Sequence, residues 1–168
     1  GVLDEIDLIM CPFQMAFGNI GAFLVGKRYL LQPAHTETWP YIFTYNIPPV
    51  NAVSIRKALE LLGQKGPALQ KKLRQNVSFL RDRLSAIGFE IINPVGHIIP
   101  ILIGDEVKVC QFAHFLFERG VWVQPFFYPA VPRGKAMVRV TCTVGHTAKE
   151  LEQAAEIFAE AYKTLGRE

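Results

Sequence analysis

The chain has 168 residues, of which 50% are hydrophobic and 20% charged, which is enough for one domain with a substantial core. The net charge of +3 is dispersed along the chain, and no apolar run reaches the roughly 18 residues of a membrane span, so we expect neither nucleic-acid nor membrane binding. The three widely spaced cysteines form neither a metal-ligand pattern nor a disulfide framework. No signal peptide is visible, and we expect a cytoplasmic protein without a metal.

The first third of the chain carries two short strand signals. Apolar runs at residues 6–10 and 22–25 predict buried strands, and Gly18 and Gly21 between them predict tight backbone turns. Residues 32–49 contain four prolines, which predicts an irregular segment.

Two helices are predicted next. An apolar residue recurs at helical spacing over residues 50–62, and Gly63 and Gly66-Pro67 predict a break. The clearest stripe of the chain covers residues 69–87, where apolar side chains recur every three or four positions. Gly88 is expected to end this helix in a left-handed conformation.

The remainder alternates strands and helices. Strands are predicted at residues 89–92, 98–103, 121–128 and 137–143, and helices at 106–118 and 151–165. Pro100 predicts that its strand lies at an edge or carries a bulge. Thr147 and Glu150 have the spacing of a capping box at the start of the last helix. This order predicts an α/β (α+β) fold, with a mixed or antiparallel sheet covered on one face by helices.

The strand at residues 138–143 has a polar face. Its alternation places Val138, Val140 and Cys142 on one side and Arg139 on the other. If the valine side packs on the helices, Arg139 projects from the open side of the sheet and is available to hold a carboxylate in a bidentate fork. The same pattern also fits a surface arginine that pairs with any nearby acid, and the alternation alone favours this second interpretation.

Several segments, in order, resemble the α-oxoamine synthase family of pyridoxal-phosphate (PLP) enzymes. Residues 11–22 (CPFQMAFGNIGA) are similar to that family's Gly-Thr-Phe-Ser-Lys-Ala-Phe-Gly segment, whose lysine forms the Schiff base with the cofactor. The other similar segments are 41–49 (YIFTYNIPP), 98–105 (IIPILIGD), 120–134 (GVWVQPFFYPAVPRG) and the closing pair 138–141 and 145–147. Blocks in the right order and spacing indicate the family more strongly than any single motif.

The resemblance implies both a fold and a cofactor. Residues 50–168 would form the C-terminal small domain of the PLP-transferase fold, and residues 1–49 a remnant of the large PLP-binding domain. The chemistry would be the PLP-dependent condensation of an amino acid with an acyl-CoA. Members run to about twice this length. Since the chain begins at Gly1 instead of a methionine, we expect it to be cut from something longer.

The resemblance also implies roles for individual residues. Met15 stands at the Schiff-base lysine and Pro12 at a threonine that holds the phosphate. Thr44 matches a hydroxyl that reaches the cofactor phosphate of the neighbouring subunit, and Arg139 matches the arginine that holds the substrate carboxylate. His146 matches a motif position, although a hydrogen-bonding role in the loop before the last helix is favoured. A thioether cannot form an imine, so no catalytic residue is assigned to this chain.

Three hypotheses remain open. The favoured one is a truncated or degenerate synthase homologue that is inactive alone. In the second, the chain is half of a split enzyme, and Thr44 and Arg139 act across an interface with a chain that supplies the missing large domain. In the third, the fold serves as a non-enzymatic interaction module. In each case we expect a homodimer or a partner chain, because the remnant would otherwise leave apolar faces uncovered.

Overall fold

A computed structural model describes residues 2–92 and 96–165. The chain divides into two compact units between Gly66 and Pro67. The domains proposed from the sequence, 1–49 and 50–168, therefore have a boundary different from this division and stay a prediction. Each unit is described by itself below.

The first unit begins with a hairpin. After a 3-10 turn at Leu3–Glu5, strand β1 (Leu8–Pro12) pairs antiparallel with β2 (Ala22–Gly26). The connection contains the four-residue helix α1 (Gln14–Phe17), which ends at Gly18 with φ of 57°. The two strands and the predicted turns are confirmed, with Gly21 also at positive φ. The predicted burial of these strands is wrong, because no residue of β1 or β2 is buried.

The proline-rich segment is not irregular, as was predicted, but contains two short helices. They are α2 (Arg28–Glu37) and α3 (Trp39–Phe43). Pro40 lies in the first turn of α3, where a missing backbone N–H removes no helical hydrogen bond. Pro33 lies inside α2 and costs that helix one such bond. Proline count alone was therefore a poor guide, because position within the helix decides the cost.

The predicted break after residue 62 is also wrong. Helix α4 runs without interruption over Pro49–Ile87, with Pro67 inside it. The ring of a proline meets the carbonyl of the residue four positions earlier, which here is Gly63. The helix continues through this position although Gly66 directly precedes Pro67, and good helix formers follow at residues 68–70. As predicted, the helix stops at Gly88, whose φ is 108°.

The second unit contains a three-stranded antiparallel sheet in the order β3-β5-β4. The strands are β3 (Ile98–Gly104), β4 (Gln124–Phe126) and β5 (Ala136–Thr141), and the helices are α5 (Glu106–Glu118) and α6 (Ala148–Leu165). Pro100 is on the outer strand β3, which carries a register shift at its end, as its position predicted. Asp105 caps α5 by accepting from the Val107 and Lys108 amides at 2.8 Å.

Two predicted strands are shorter than expected. Residues 89–92 make a single bridge, Ile91 to Ile101, beside β3. The strand predicted at 121–128 is confined to β4, because the Val121 amide donates to Leu116 at the end of α5 and a turn begins at Phe127. The hydrophobic runs predicted longer strands. Backbone N–H and C=O groups that bond within the adjacent turns are not available to pair with a neighbouring strand.

The core of the second unit lies between one face of the sheet and the helices. Phe89 and Phe158 pack edge to face, with ring centroids 5.8 Å apart, and Phe89 meets Phe112 in the same way at 5.7 Å. Other buried side chains come from the sheet and from the three helices, and include Val77, Leu80, Leu84, Ile99, Ile101, Val109, Leu116, Val138, Val140, Leu151 and Ala155. The predicted arrangement, with helices covering one face of the sheet, is confirmed.

The first unit buries far less apolar surface. Among its described residues, only Phe13 and Ile55 are buried hydrophobics, and every residue of β2 is exposed. Aromatic side chains such as Trp39 (76% exposed) and Phe43 (78%) face outward. A two-stranded hairpin with both faces open is marginally stable in water. None of the described helices has the length and apolarity to cross a bilayer.

Candidate functional site

Met15 lies on the short helix α1 and is 78% exposed. The turn around it is fixed by Phe13, whose backbone amide donates to the Gly21 carbonyl at 2.9 Å and whose ring contacts Phe17 and Phe23 at 5.8 and 5.4 Å. Met15 itself has an open environment, and the thioether offers neither a nucleophile nor a proton. The turn is therefore held in place by the contacts of Phe13, but at position 15 it presents a thioether that cannot form an imine.

An asparagine pair joins this turn to the start of α4 and was missed from the sequence. Asn51 Nδ2 donates to Asn19 Oδ1 at 2.5 Å, and Asn19 Oδ1 also accepts from the Ile20 amide at 3.0 Å. Beside the pair is a cavity of about 440 Å³ whose described lining includes Gln14 and Ser54. Its described lining residues carry no titratable group, so this cavity supplies shape and neutral hydrogen bonds but no acid or base. The sequence did contain a signal for this pair, since Asn19 lies in a glycine-containing turn and Asn51 lies in the first turn of a predicted helix.

Close backbone approach explains the glycine at position 21. A Cβ there would lie 2.7 Å from Ile47 Cδ1, and Gly21 has φ of 94°. The positive φ strains any other residue, and a side chain would also force the end of the Ile47 side chain to move. The turn that presents Met15 is therefore packed against the segment preceding α4 within the same unit.

Thr44 ends α3 and is exposed. Its hydroxyl donates its single proton to the Pro40 carbonyl four residues earlier. A phosphate oxygen is an acceptor and needs a donor, so the hydroxyl would have to rotate away from Pro40 before it could bind a phosphate. Thr44 and Met15 belong to the first unit, whereas Arg139 belongs to the second.

Arg139 projects from the open face of the three-stranded sheet. It stands opposite Pro100 on β3 and Gln124 on β4, while Val138 and Val140 on the other side are buried. The prediction that the valines of β5 face the helices and Arg139 the open side of the sheet is therefore confirmed. The guanidinium carbon lies 5.9 Å from the centre of the Phe126 ring, and no acidic residue of the described ranges forms an ion pair with Arg139.

His146 forms part of the loop before α6. Its Nδ1 accepts from the Thr143 amide at 3.3 Å, and Asn76 Nδ2 donates to the carbonyls of both residues at 2.9 and 3.1 Å. These contacts support the hydrogen-bonding role favoured from the sequence. The neighbouring capping box is confirmed, since the Thr147 amide donates to Glu150 Oε2 at 2.7 Å and the Glu150 amide donates to Thr147 Oγ1 at 3.2 Å.

The capping box also changes the acidity of Glu150. The hydrogen bond from the Thr147 amide lowers the pKa of that carboxyl, and the bond from the Thr147 hydroxyl lowers it further. Elsewhere, burial raises the pKa of the Cys142 thiol to about 11. The described residues contain no cluster of metal-binding side chains. On the open face of its sheet the second unit offers the exposed cation of Arg139, which has no acidic partner among residues 2–92 and 96–165.

The fold is that of PLP enzymes larger than this chain. The structure of Sphingomonas paucimobilis serine palmitoyltransferase with a bound PLP–myriocin aldimine is similar, with a TM-score of 0.90 at 22% identity over 98% of this chain and 42% of that one. The 8-amino-7-oxononanoate synthase of Francisella tularensis gives a TM-score of 0.81 at 23% identity, covering 94% of this chain and 46% of that one. This likeness defines a PLP-transferase fold, of which less than half is present.

Sequence comparison gives the family. A family model described as aminotransferase class I and II matches residues 15–158, so the chain belongs to that family. The 8-amino-7-oxononanoate synthase of Thermoanaerobacter pseudethanolicus is 32% identical over 96% of this chain and 40% of its own length. The 2-amino-3-ketobutyrate coenzyme A ligase of Escherichia coli K12 is 30% identical over 98% of this chain and 42% of its own length. The resemblance to α-oxoamine synthases is confirmed, and the chain spans about two fifths of these relatives.

Proposed function

We propose that this chain is a truncated or degenerate homologue of the PLP-dependent acyl-CoA:amino acid C-acyltransferases and is inactive alone. The observation that carries the proposal is Met15, which occupies the position matched to the Schiff-base lysine. Only an amine condenses with the aldehyde of PLP, and a thioether cannot replace it. Most of the length of the relatives is also absent from this chain.

The residues of the first unit do not fit PLP. Pro12 offers neither a hydroxyl nor a backbone N–H to a phosphate. Thr44 gives its proton to the Pro40 carbonyl. Lys27, the lysine nearest in sequence to Met15, lies 2.7 Å from the Asp7 carboxylate and is held in an ion pair. The hydrogen-bond donors for the phosphate and the lysine for the covalent bond to PLP are thus both missing from this unit.

The substrate side has changed less. Arg139 keeps its place at the centre of the sheet, without an acidic partner among the described residues, and its guanidinium can hold a carboxylate in two parallel hydrogen bonds. Its matched position in the family supports a carboxylate-binding ancestry. The residues matched to cofactor binding are replaced, whereas the arginine matched to carboxylate binding is retained. This is the pattern expected when a protein keeps its fold after losing its catalytic activity.

The test is an activity assay on the purified chain supplied with PLP. A panel of amino acids is incubated with a panel of acyl-CoA thioesters, and released CoA thiol is measured. We expect release at the rate of the enzyme-free control, and an Arg139→Ala variant should give the same rate. Release above that control that is abolished by Arg139→Ala would refute the proposal, because it would mean that this chain catalyses the condensation.

A second candidate is one half of a split enzyme, and the apolar surface of the first unit favours it. β2 is exposed along its whole length although it reads Ala-Phe-Leu-Val, a pattern typical of strands covered on both faces. A partner that supplies the missing large domain would cover it, and Thr44 and Arg139 would then act across the interface. Affinity purification from the native host tests this candidate. It requires a partner that carries an intact Ser-Lys-Ala motif, and it fails if the chain elutes alone or only as a homodimer.

A further inference from the structure

The second unit contains a cavity of about 590 Å³ between α4 and the residues that lead into β3. We refer to it as the α4 cavity. The described residues that line it are Gln70, Leu73, Arg74, Val77, Ser78, Arg81, Gly96 and His97. The six α4 residues recur at steps of three and one along the helix, so they form one continuous face.

The α4 cavity has an apolar floor. Val77 belongs to the buried core, and Leu73 is half-buried beside it. His97 precedes Ile99 by two positions, and Ile99 points into the helical layer. The cavity therefore belongs to the helical side of the sheet, whereas Arg139 projects from the opposite face.

The wall of the cavity is cationic. Arg74 and Arg81 are seven residues apart, which places them about 10 Å apart along the helix axis, with the Ser78 hydroxyl between them. Arg81 Nη2 donates to Ser78 Oγ at 3.3 Å, and both side chains line the cavity. No carboxylate is among the described lining residues.

The ion pairs among the described residues leave the charge of Arg74 uncompensated. Asp82 lies 3.7 Å from Arg81 Nε, but its side chain is 75% exposed and faces solvent, where an ion pair is weak. Arg74 forms no ion pair with any residue in the described ranges. Arg83, on another face of the same helix, is by contrast held by Glu152 with contacts of 2.5 and 3.2 Å.

We propose that the α4 cavity binds a small organic phosphate. Guanidinium groups bind phosphate oxygens in bidentate pairs, and Ser78 and His97 offer further polar contacts. The apolar floor of Leu73 and Val77 accommodates the organic part, which an inorganic ion would leave uncovered. The volume falls in the range of small-molecule sites and fits a ligand the size of a nucleoside monophosphate. This site is independent of the proposed loss of PLP chemistry.

The test uses the full chain and adenosine monophosphate as the probe, with adenosine and inorganic phosphate as the two halves of that ligand. Binding is measured by calorimetry, and its location by amide chemical shifts of α4 and His97. We expect adenosine monophosphate to bind more tightly than either half. The variant Arg74→Gln should weaken binding about tenfold, as expected for the loss of one charge-assisted contact.

The matched control is Lys72→Gln, which removes one positive charge from an exposed position of the same helix outside the cavity. It should change the dissociation constant by less than about twofold, because screening weakens a charge that does not contact the ligand. The proposal is overturned if adenosine monophosphate does not bind. It is equally overturned if both variants weaken binding alike, or if shifts occur elsewhere and not at α4 and His97.

Discussion

Replacement of Phe158 by alanine tests the division of the chain into one well-packed unit and one poorly packed unit. Phe158 is fully buried and contacts the rings of Phe89 and Phe112 at 5.8 and 6.0 Å. Removal of such a ring costs about 3–5 kcal/mol, because transfer energy is lost and a cavity remains. With a urea slope of about 2 kcal/mol per molar, the midpoint of unfolding should fall by about 2 M.

The matched control is Phe43→Ala, which makes the same deletion at a side chain that is 78% exposed in the first unit. It should change the unfolding free energy by less than about 0.5 kcal/mol. Both variants are unfolded in urea and followed by far-ultraviolet circular dichroism, which reports chiefly on helix. Equal losses for the two variants would refute the reasoning, and so would a loss below about 1 kcal/mol for Phe158→Ala.

Three further outcomes are expected. Met15→Lys alone should release no CoA above background in the acyl-CoA assay, because a single amine does not supply the missing large domain; measurable turnover would contradict this. Cys142 should be the slowest thiol to react with a disulfide reagent at about pH 8, since burial raises its pKa to about 11, whereas exposed Cys110 should react readily; mass spectrometry of the labelled peptides distinguishes them. Because the pKa of Glu150 is lowered in the folded state, its charge stabilises the fold above the ordinary glutamate pKa and this contribution is lost as the pH falls through the lowered value. Urea titrations should thus show a stability gap between wild type and Glu150→Gln at about pH 7 that narrows as the pH falls below the ordinary glutamate pKa, and a gap independent of pH would contradict this.

The second unit could largely be predicted from the sequence, because its signals are local. Alternation in β5 predicted that Val138 and Val140 would be buried and that Arg139 would face outward, and both are confirmed. The Thr147–Glu150 spacing predicted the cap of α6, and the structure contains both reciprocal hydrogen bonds. In these elements burial and hydrogen bonding both follow from residues a few positions apart.

The first unit was harder to predict, because proline and glycine were interpreted as breaks. Gly63 and Gly66 are tolerated inside α4, and Pro40 lies where α3 needs no donor. The Asn19–Asn51 pair depends on contact between residues 32 positions apart and gives no local pattern. The roles matched to Met15, Thr44 and Arg139 came from family resemblance, since exposure and hydrogen bonding alone assign no chemistry to a methionine or to a threonine bound to its own helix.

The most direct measurement of the central claim is a PLP titration of the full chain, followed by absorbance in the aldimine region, borohydride reduction and intact mass. Our account predicts no saturable aldimine band and no stable mass increase, because Met15 cannot form an imine and Pro12 offers the phosphate no donor. A saturable band with one adduct fixed on a single lysine would contradict it. Such a result would mean that the cofactor has another anchor in this chain and that the methionine is not disabling.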